Sequence, residues 1–178
     1  QGSWTLGVRH FILDEKFKYA STSSINSLPT SAGLVPASGV AETNTTNNLT
    51  GIQLGTDLWI CLLPGLRVGG EFQAGVYGNH MNINNYFYSN QVNNPVIEEL
   101  QANDVSFIGQ ANLLMTYRFN YQWSGRFGYQ FLYVDGVALA PENFNSIPPQ
   151  VNAPRQTFTN DNGNVFYHGW NIGLEYMW

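Results

Sequence analysis

Charge is scarce in this chain. Of 178 residues, 7 are Lys or Arg and 12 are Asp or Glu, 11% in all, where ordinary soluble domains carry roughly 25%. The net charge of −5 argues against nucleic acid as a partner. Cysteine is almost missing: Cys61 stands alone, so no disulfide forms within the chain, and one thiol says little about compartment. There is no run of about 18 apolar residues, which excludes a transmembrane helix. The three histidines, His10, His80 and His168, are too scattered to form a Ser-His-Asp or Cys-His set. No GxGxxG, P-loop or metal-ligand spacing occurs. No catalytic activity, cofactor or metal site is therefore expected. Asp161-Asn162-Gly163-Asn164 has the flavour of a calcium loop but lacks its later bidentate Glu. Gln1 opens the chain without initiator Met, basic leader or apolar h-region, so a processed product or a fragment is expected.

What is abundant is aromatic and uncharged-polar. Phe, Trp and Tyr make up 15% of the chain, yet mean hydropathy is only −0.20, because Asn, Gln, Ser, Thr and Gly supply polarity without charge. Such a mixture suits a wall with lipid on one side and water on the other. Composition alone also suits a soluble β-sandwich.

The final nine residues sharpen the choice. Trp170, Ile172, Leu174, Tyr176 and Trp178 alternate with Asn171, Gly173, Glu175 and Met177. A period of two is a β-strand between two unlike environments. A strand that stops on an aromatic at the chain's end resembles the terminus by which bacterial outer-membrane barrels are recognised by their assembly machinery.

Five earlier segments alternate in the same way. The first, about Ser3 to Tyr19, sets Trp4, Leu6, Val8, His10 and Ile12 against Thr5, Gly7, Arg9 and Phe11. Its parity changes at Asp14-Glu15-Lys16, where a β-bulge is expected. The second, about Asn48 to Leu62, puts Ile52, Leu54, Leu58 and Ile60 on one face. The third begins at Leu66 after the turn Leu63-Pro64-Gly65. The fourth, from Val105, and the fifth, from Trp123, flank a short turn near Asn120 to Gln122, and the sixth runs from Val165 to Trp178. Polar segments at about 21–46, 80–103 and 136–164 read as long loops.

The connections thus alternate long and short, as in outer-membrane barrels with long external loops and short periplasmic turns. Strands of about 12–16 residues exceed the soluble norm of about 5–6 and the 9–11 that cross the hydrocarbon. Trp4, Tyr117, Phe119, Tyr121, Trp123, Tyr176 and Trp178 all fall near the short-turn end, where an aromatic girdle at the lipid boundary is expected. The fold expected is an all-β, antiparallel, up-and-down transmembrane barrel, read as one domain over 1–178. Six strands are too few to close it, since single-chain barrels use eight or more. Four or six further strands, giving 10–12, are expected to precede them, with assembly from several chains as the alternative.

Several motifs line up with one family. Gly7-Val8-Arg9-His10-Phe11 with Leu13-Asp14-Glu15 resembles a G-x-R-[YH]-x-x-L-D-E strand. Gly51-Ile52-Gln53-Leu54-Gly55 resembles G-x-Q-L-G, and Gly75-Val76-Tyr77-Gly78-Asn79 resembles the end of the following strand. Gly128-Tyr129-Gln130 and Asp135-Gly136-Val137-Ala138-Leu139-Ala140-Pro141 resemble G-Y-Q…D-G-V-A-L-A-P. Phe166-Tyr167-His168-Gly169 and Gly173-Leu174-Glu175 resemble the closing strand. Together these resemble the C-terminal part of a member of the planctomycete outer-membrane β-barrel porin family. The resemblance implies a bacterial outer-membrane location and a porin-like or structural envelope role. The partners expected are membrane lipid, lipopolysaccharide and the barrel-assembly machinery, with other envelope proteins or further copies of the chain left open.

If the apolar faces meet lipid, the lumen receives Arg9, Asp57, Arg67, Glu71, Arg118, Arg126 and Glu175. All are placed in the short-turn half. Asp57 and Glu71 are expected opposite each other, and Arg118 near Arg126, in a salt-bridged cluster. Two readings follow: a charged constriction that selects small solutes, or a neutralised filling of a narrow lumen. The loops are candidates for glycan or protein contact, or are simply solvated. The alternative from another class is a soluble β-barrel or sandwich that turns its apolar face inward around an apolar ligand.

Overall fold

The computed structural model describes residues 1–23, 29–30, 33–34, 37–90, 94–144 and 159–178. The described chain is all-β, with six antiparallel strands in a curled half-barrel sheet and no helix. These strands are β1 (Gly2–Ser23), β4 (Ala37–Leu63), β5 (Leu66–Ser89), β6 (Val96–Arg118), β7 (Trp123–Val137) and β8 (Gly163–Tyr176), paired in that order. Between β1 and β4, β2 (Pro29–Thr30) pairs with β3 (Gly33–Leu34). The order ends on β1 and β8, which do not pair with each other among the described residues.

Gly65, at a φ of 89°, closes the β4–β5 turn after Pro64. A Ser-free Asx-type turn closes β6–β7, where the side-chain oxygen of Asn120 accepts from the backbone N–H groups of Gln122 and Trp123 at 2.9 and 2.7 Å.

The strands are longer than their alternation foretells. Residues 21–23 belong to β1 and 37–46 to β4, so much of the loop expected at 21–46 is sheet. The loop expected at 80–103 is replaced by the paired outer halves of β5 and β6, from His80↔Asn103 to Phe87↔Val96. These Asn- and Thr-rich stretches have weak strand propensity, but pairing with both neighbours overrides it. The third expected loop agrees with the described part: 138–144 and 159–162 carry no strand.

The bulge expected at Asp14 to Lys16 is absent. The register of β1 on β4 runs unbroken from Gly2↔Leu58 to Ser23↔Ala37. The parity changes because the environment reverses. Up to Ile12 the apolar residues point to the convex side; beyond it Asp14, Lys16 and Lys18 do, while Phe11, Leu13 and Phe17 point into the concavity.

Every strand shows this division into two zones. In the half nearer the short turns the convex face is apolar and exposed: Leu6 78%, Ile52 65% and Ile172 80%. The band spans about eleven residues, as from Trp123 to Tyr133 on β7 or Phe166 to Tyr176 on β8. At about 3.4 Å per residue, and at the tilt of about 45° that membrane-barrel strands take, that length would span about 25 Å, the height of a barrel's lipid-facing belt. In the far half the sign inverts. The convex face becomes polar, and the concave face holds two apolar clusters, one of Leu13, Leu49, Tyr77, Ile108, Val134 and Val137, the other of Met81, Ile83 and Ala138. The pairing is also staggered. Gly2 aligns through Leu58, Gly70, Leu113 and Tyr129 with Trp170, leaving the rest of β8 to Tyr176 below that row. Tilted barrel strands require such a shear.

Candidate functional site

The concave face is built from glycines and amides at its middle. Gly7, Gln53 and Gly75 share one row, and Thr5, Gly55, Gln73 and Gln110 the next. The small residues leave depth, and the amides leave it wettable. A Cβ on Gly75 would come within 2.5 Å of the Ile52 carbonyl oxygen and 2.8 Å of the Tyr77 ring, so glycine here permits the sheet's tight curl. Over this floor Arg9 reaches from β1 to β6, where its Nη1 donates to Gln110 Oε1 at 2.9 Å. Its guanidinium carbon lies 5.5 Å from the centre of the Phe11 ring, a cation–π contact. The Tyr77 hydroxyl donates to Gln53 Oε1 at 3.1 Å.

All seven expected lumen charges face the concavity, but they do not form a salt-bridged cluster. Asp57 and Glu71 are directly paired. Each takes a neutral donor instead of a cation: the Ser3 hydroxyl for Asp57, and Asn112 Nδ2 at 3.1 Å for Glu71. Arg67 donates to Gln1 Oε1 at 3.5 Å, and the Ser124 hydroxyl to Glu175 Oε2 at 3.5 Å. Arg118 faces Ser124 and Arg126 faces Thr116, so the two arginines are diagonal rather than opposite. Arg9 stands three concave rows above Asp57, well above the position expected for it. Same-facing residues on a strand are about 6.7 Å apart, and small polar neighbours intervene between strands, so opposite charges do not meet. Among the described residues the one ion pair is Lys16–Glu42, 2.6 Å, on the convex side.

The element that sequence reasoning missed is a strap across the far half of the concavity. It begins at Gly136. The register slips between Asp135 and Val137, and Gly136, at a φ of 76°, is the extra residue of a glycine bulge. A Cβ there would lie 2.9 Å from the Val105 carbonyl oxygen. Its own carbonyl accepts from the Ser106 hydroxyl at 2.5 Å and from Asn79 Nδ2 at 3.2 Å.

The chain then turns inward instead of outward. Val137, Ala138 and Ala140 are fully buried. Asn47 clasps Ala138 as a second strand would: its side-chain oxygen accepts from the Ala138 N–H at 2.8 Å, and its Nδ2 donates to the Ala138 carbonyl at 2.9 Å. Asn79 Nδ2 donates to Asn47 Oδ1 at 3.1 Å. The Ala140 N–H donates to Glu15 Oε2 at 3.0 Å, and the Phe144 ring meets Phe17 edge-on at 5.1 Å. Residues 136–144 therefore pass over β6, β5 and β4 to β1. Asn143 holds the return: its Nδ2 donates to the carbonyls of Leu139 and Asn160 at 2.9 and 2.8 Å.

Two signals pointed here: the small uncharged run Val137-Ala138-Leu139-Ala140, and the end of alternation at Asp135. The latching residues Asn47, Asn79 and Glu15 gave none, because two fell in or beside an expected loop and the third in the expected bulge.

Comparison with protein-family models, curated proteins and solved structures finds no match for this chain. Its geometry therefore carries the functional argument alone.

The seven expected girdle aromatics are all exposed, from 43% for Trp123 to 104% for Trp178. Tyr117 packs edge-on against Phe119 at 5.2 Å, and Trp123 meets Tyr176 at a tilt of 54° and 5.0 Å. Register pairs Trp4 with Thr56 and, through it, aligns it with Phe72. His10 and His168 lie on the convex face, as expected, each bonded to a neighbouring hydroxyl, Thr50 and Tyr129 respectively. No group of three or more His, Cys, Asp or Glu able to hold a metal occurs among the described residues.

Proposed function

We propose that this chain forms part of the wall of a bacterial outer-membrane β-barrel that passes small hydrophilic solutes passively through a lumen narrowed by the strap. The observation that carries this reading is the sign of the faces. An exposed apolar band about eleven residues long covers the convex side, while glycine, amide and charge cover the concave side at the same height. So large a continuous apolar surface exceeds the patches that soluble monomers expose. A soluble barrel around an apolar ligand requires the opposite arrangement.

The sheet's direction constrains its closure. β1 and β8 run antiparallel to each other, so an even number of further strands completes an antiparallel ring. Four or six of them give a barrel of about ten or twelve strands. Intact mass of the native particle distinguishes strands of the same chain from those of a second copy. From the motif resemblance in the sequence we further propose lipid, lipopolysaccharide and the assembly machinery as partners.

Level with the apolar band, four inward arginines stand beside three inward acids, while Glu15 and Glu98 face inward in the far half, so the proposed lumen is slightly cationic only at the height of the band. Reconstitution of the native protein in planar bilayers tests the function. Small, steady conductance steps are expected, and Arg118→Gln with Arg126→Gln should shift the reversal potential toward cation preference. No conductance from the native protein, even with the strap unlatched by Asn47→Ala, contradicts passage.

A further inference from the structure

The outward half of the sheet carries an ordered amide surface that neither the lumen nor the lipid band uses. Beyond the apolar band, the convex face of β4, β5 and β6 presents aligned rows: Thr46, Asn82 and Gln101 in one, Asn44, Asn84 and Glu99 in the next. Tyr86 and Tyr88 stand above them, 39% and 43% exposed. From Asn44 to Thr50 on β4 and from His80 to Tyr88 on β5, no outward position carries a formal charge when His80 is neutral. At the β1 margin Lys16 and Glu42 neutralise each other.

Solubility alone does not ask for this composition, since ordinary solvated surfaces carry roughly 25–35% charged residues. The amides also differ in use from those inside. On the concave side the amides of Asn47 and Asn143 are spent at both ends in hydrogen bonds, and Asn79 donates to Asn47 and to the Gly136 carbonyl. Among the described residues no side-chain hydrogen bond engages Asn48, Asn82, Asn84 or Gln101 on the convex side. They are held at sheet spacing with donors and acceptors free.

We propose that this face binds a neutral polysaccharide. A primary amide presents a donor pair beside an acceptor, which matches neighbouring sugar hydroxyls. A partly exposed tyrosine ring offers the flat apolar surface on which a sugar's C–H face stacks, with a hydroxyl at its tip. The sheet repeats these groups about every 6.7 Å along a strand and 4.8 Å between strands, so successive sugars of a chain meet equivalent contacts. The amide rows carry no cation and Glu99 stands at their β6 end, which selects against anionic polymers. The inference does not depend on whether the lumen conducts.

The test is affinity electrophoresis of the native protein in detergent, through gels containing dextran, mannan, galactan or xylan, with alginate as the anionic control. Retardation by at least one neutral polymer and not by alginate is expected. Tyr86→Ala with Tyr88→Ala, and separately Asn82→Ala with Asn84→Ala, should each weaken it about tenfold, which corresponds to about 1.4 kcal/mol. The isosteric Asn84→Asp keeps the fold and removes a donor, and should weaken it in the same direction. No retardation by any of the four neutral polymers overturns the proposal, as does retardation that all three variants leave unchanged. Self-association lost in the same variants, without polymer binding, assigns the face to a second copy and also overturns it.

Discussion

The same residue type does opposite work on the two faces of this sheet. Asn47 is fully buried and satisfies both backbone groups of Ala138. Asn47→Ala leaves them buried without partners, at about 1–3 kcal/mol each. Thermal unfolding in detergent should show the loss, with conductance rising as the strap loosens. Gly136→Ala should cost about 1–2 kcal/mol for its left-handed backbone, beyond the clash with the Val105 carbonyl, and the same melting experiment checks it.

Charge adds a pH-dependent contribution in the outward zone. The hydrogen bond from Lys16, then that from Asn44, holds the Glu42 carboxyl below its ordinary value of 4.5. A depressed acid stabilises the fold above that ordinary value, and the contribution fades as pH falls through the lowered one. Lys16→Gln should move the Glu42 titration midpoint upward, as read by carboxyl NMR. Because the pair is exposed, its effect on melting should be small.

At the scale of elements, alternation made six strands, their order and their apolar faces legible. It could not show that one strand crosses two environments. β1 illustrates why: a change of parity at Asp14 has two causes, an extra residue or a reversed surrounding, and only the partner's unbroken register separates them. The Asn- and Thr-rich halves of β4 to β6 stayed hidden for a related reason. Their strand state comes from pairing partners far apart in sequence, not from local preference. The strap was hidden because its latches are contributed by other strands. The inward charges were legible by parity alone, whereas their failure to pair follows from spacing between strands. The strap's role as an element has its own test. Replacing residues 138–142 by Gly-Ser-Gly-Ser-Gly, which retains length and removes the buried side chains, should increase unit conductance. An unchanged conductance would place the narrowest point elsewhere.

At the scale of the whole molecule, both apolar surfaces follow from one arrangement. Within the band, the convex side chains face outward and the concave ones line a wettable groove. Above it, the proposed barrel stands in water, and there the apolar residues lie in the concavity and pack beneath the strap. Furrows between the large convex rings fit this surrounding. One, of about 690 Å³, runs between Val68, Leu113, Met115, Phe127 and Trp170, an open shape that acyl chains fill and that rigid protein neighbours fill poorly. The central claim is that lipid, not protein or water, covers this belt. Nitroxide labels placed singly at Leu6, Leu54, Leu113 and Ile172, and at Gln53, Gln73 and Gln110, in a Cys61→Ser background in lipid vesicles, test it most directly. The account predicts high collision rates with oxygen and low rates with a water-soluble nickel chelate at the first four sites, and the reverse at the three glutamines. Nickel access at the four apolar sites, or exclusion of both reagents there, would contradict it.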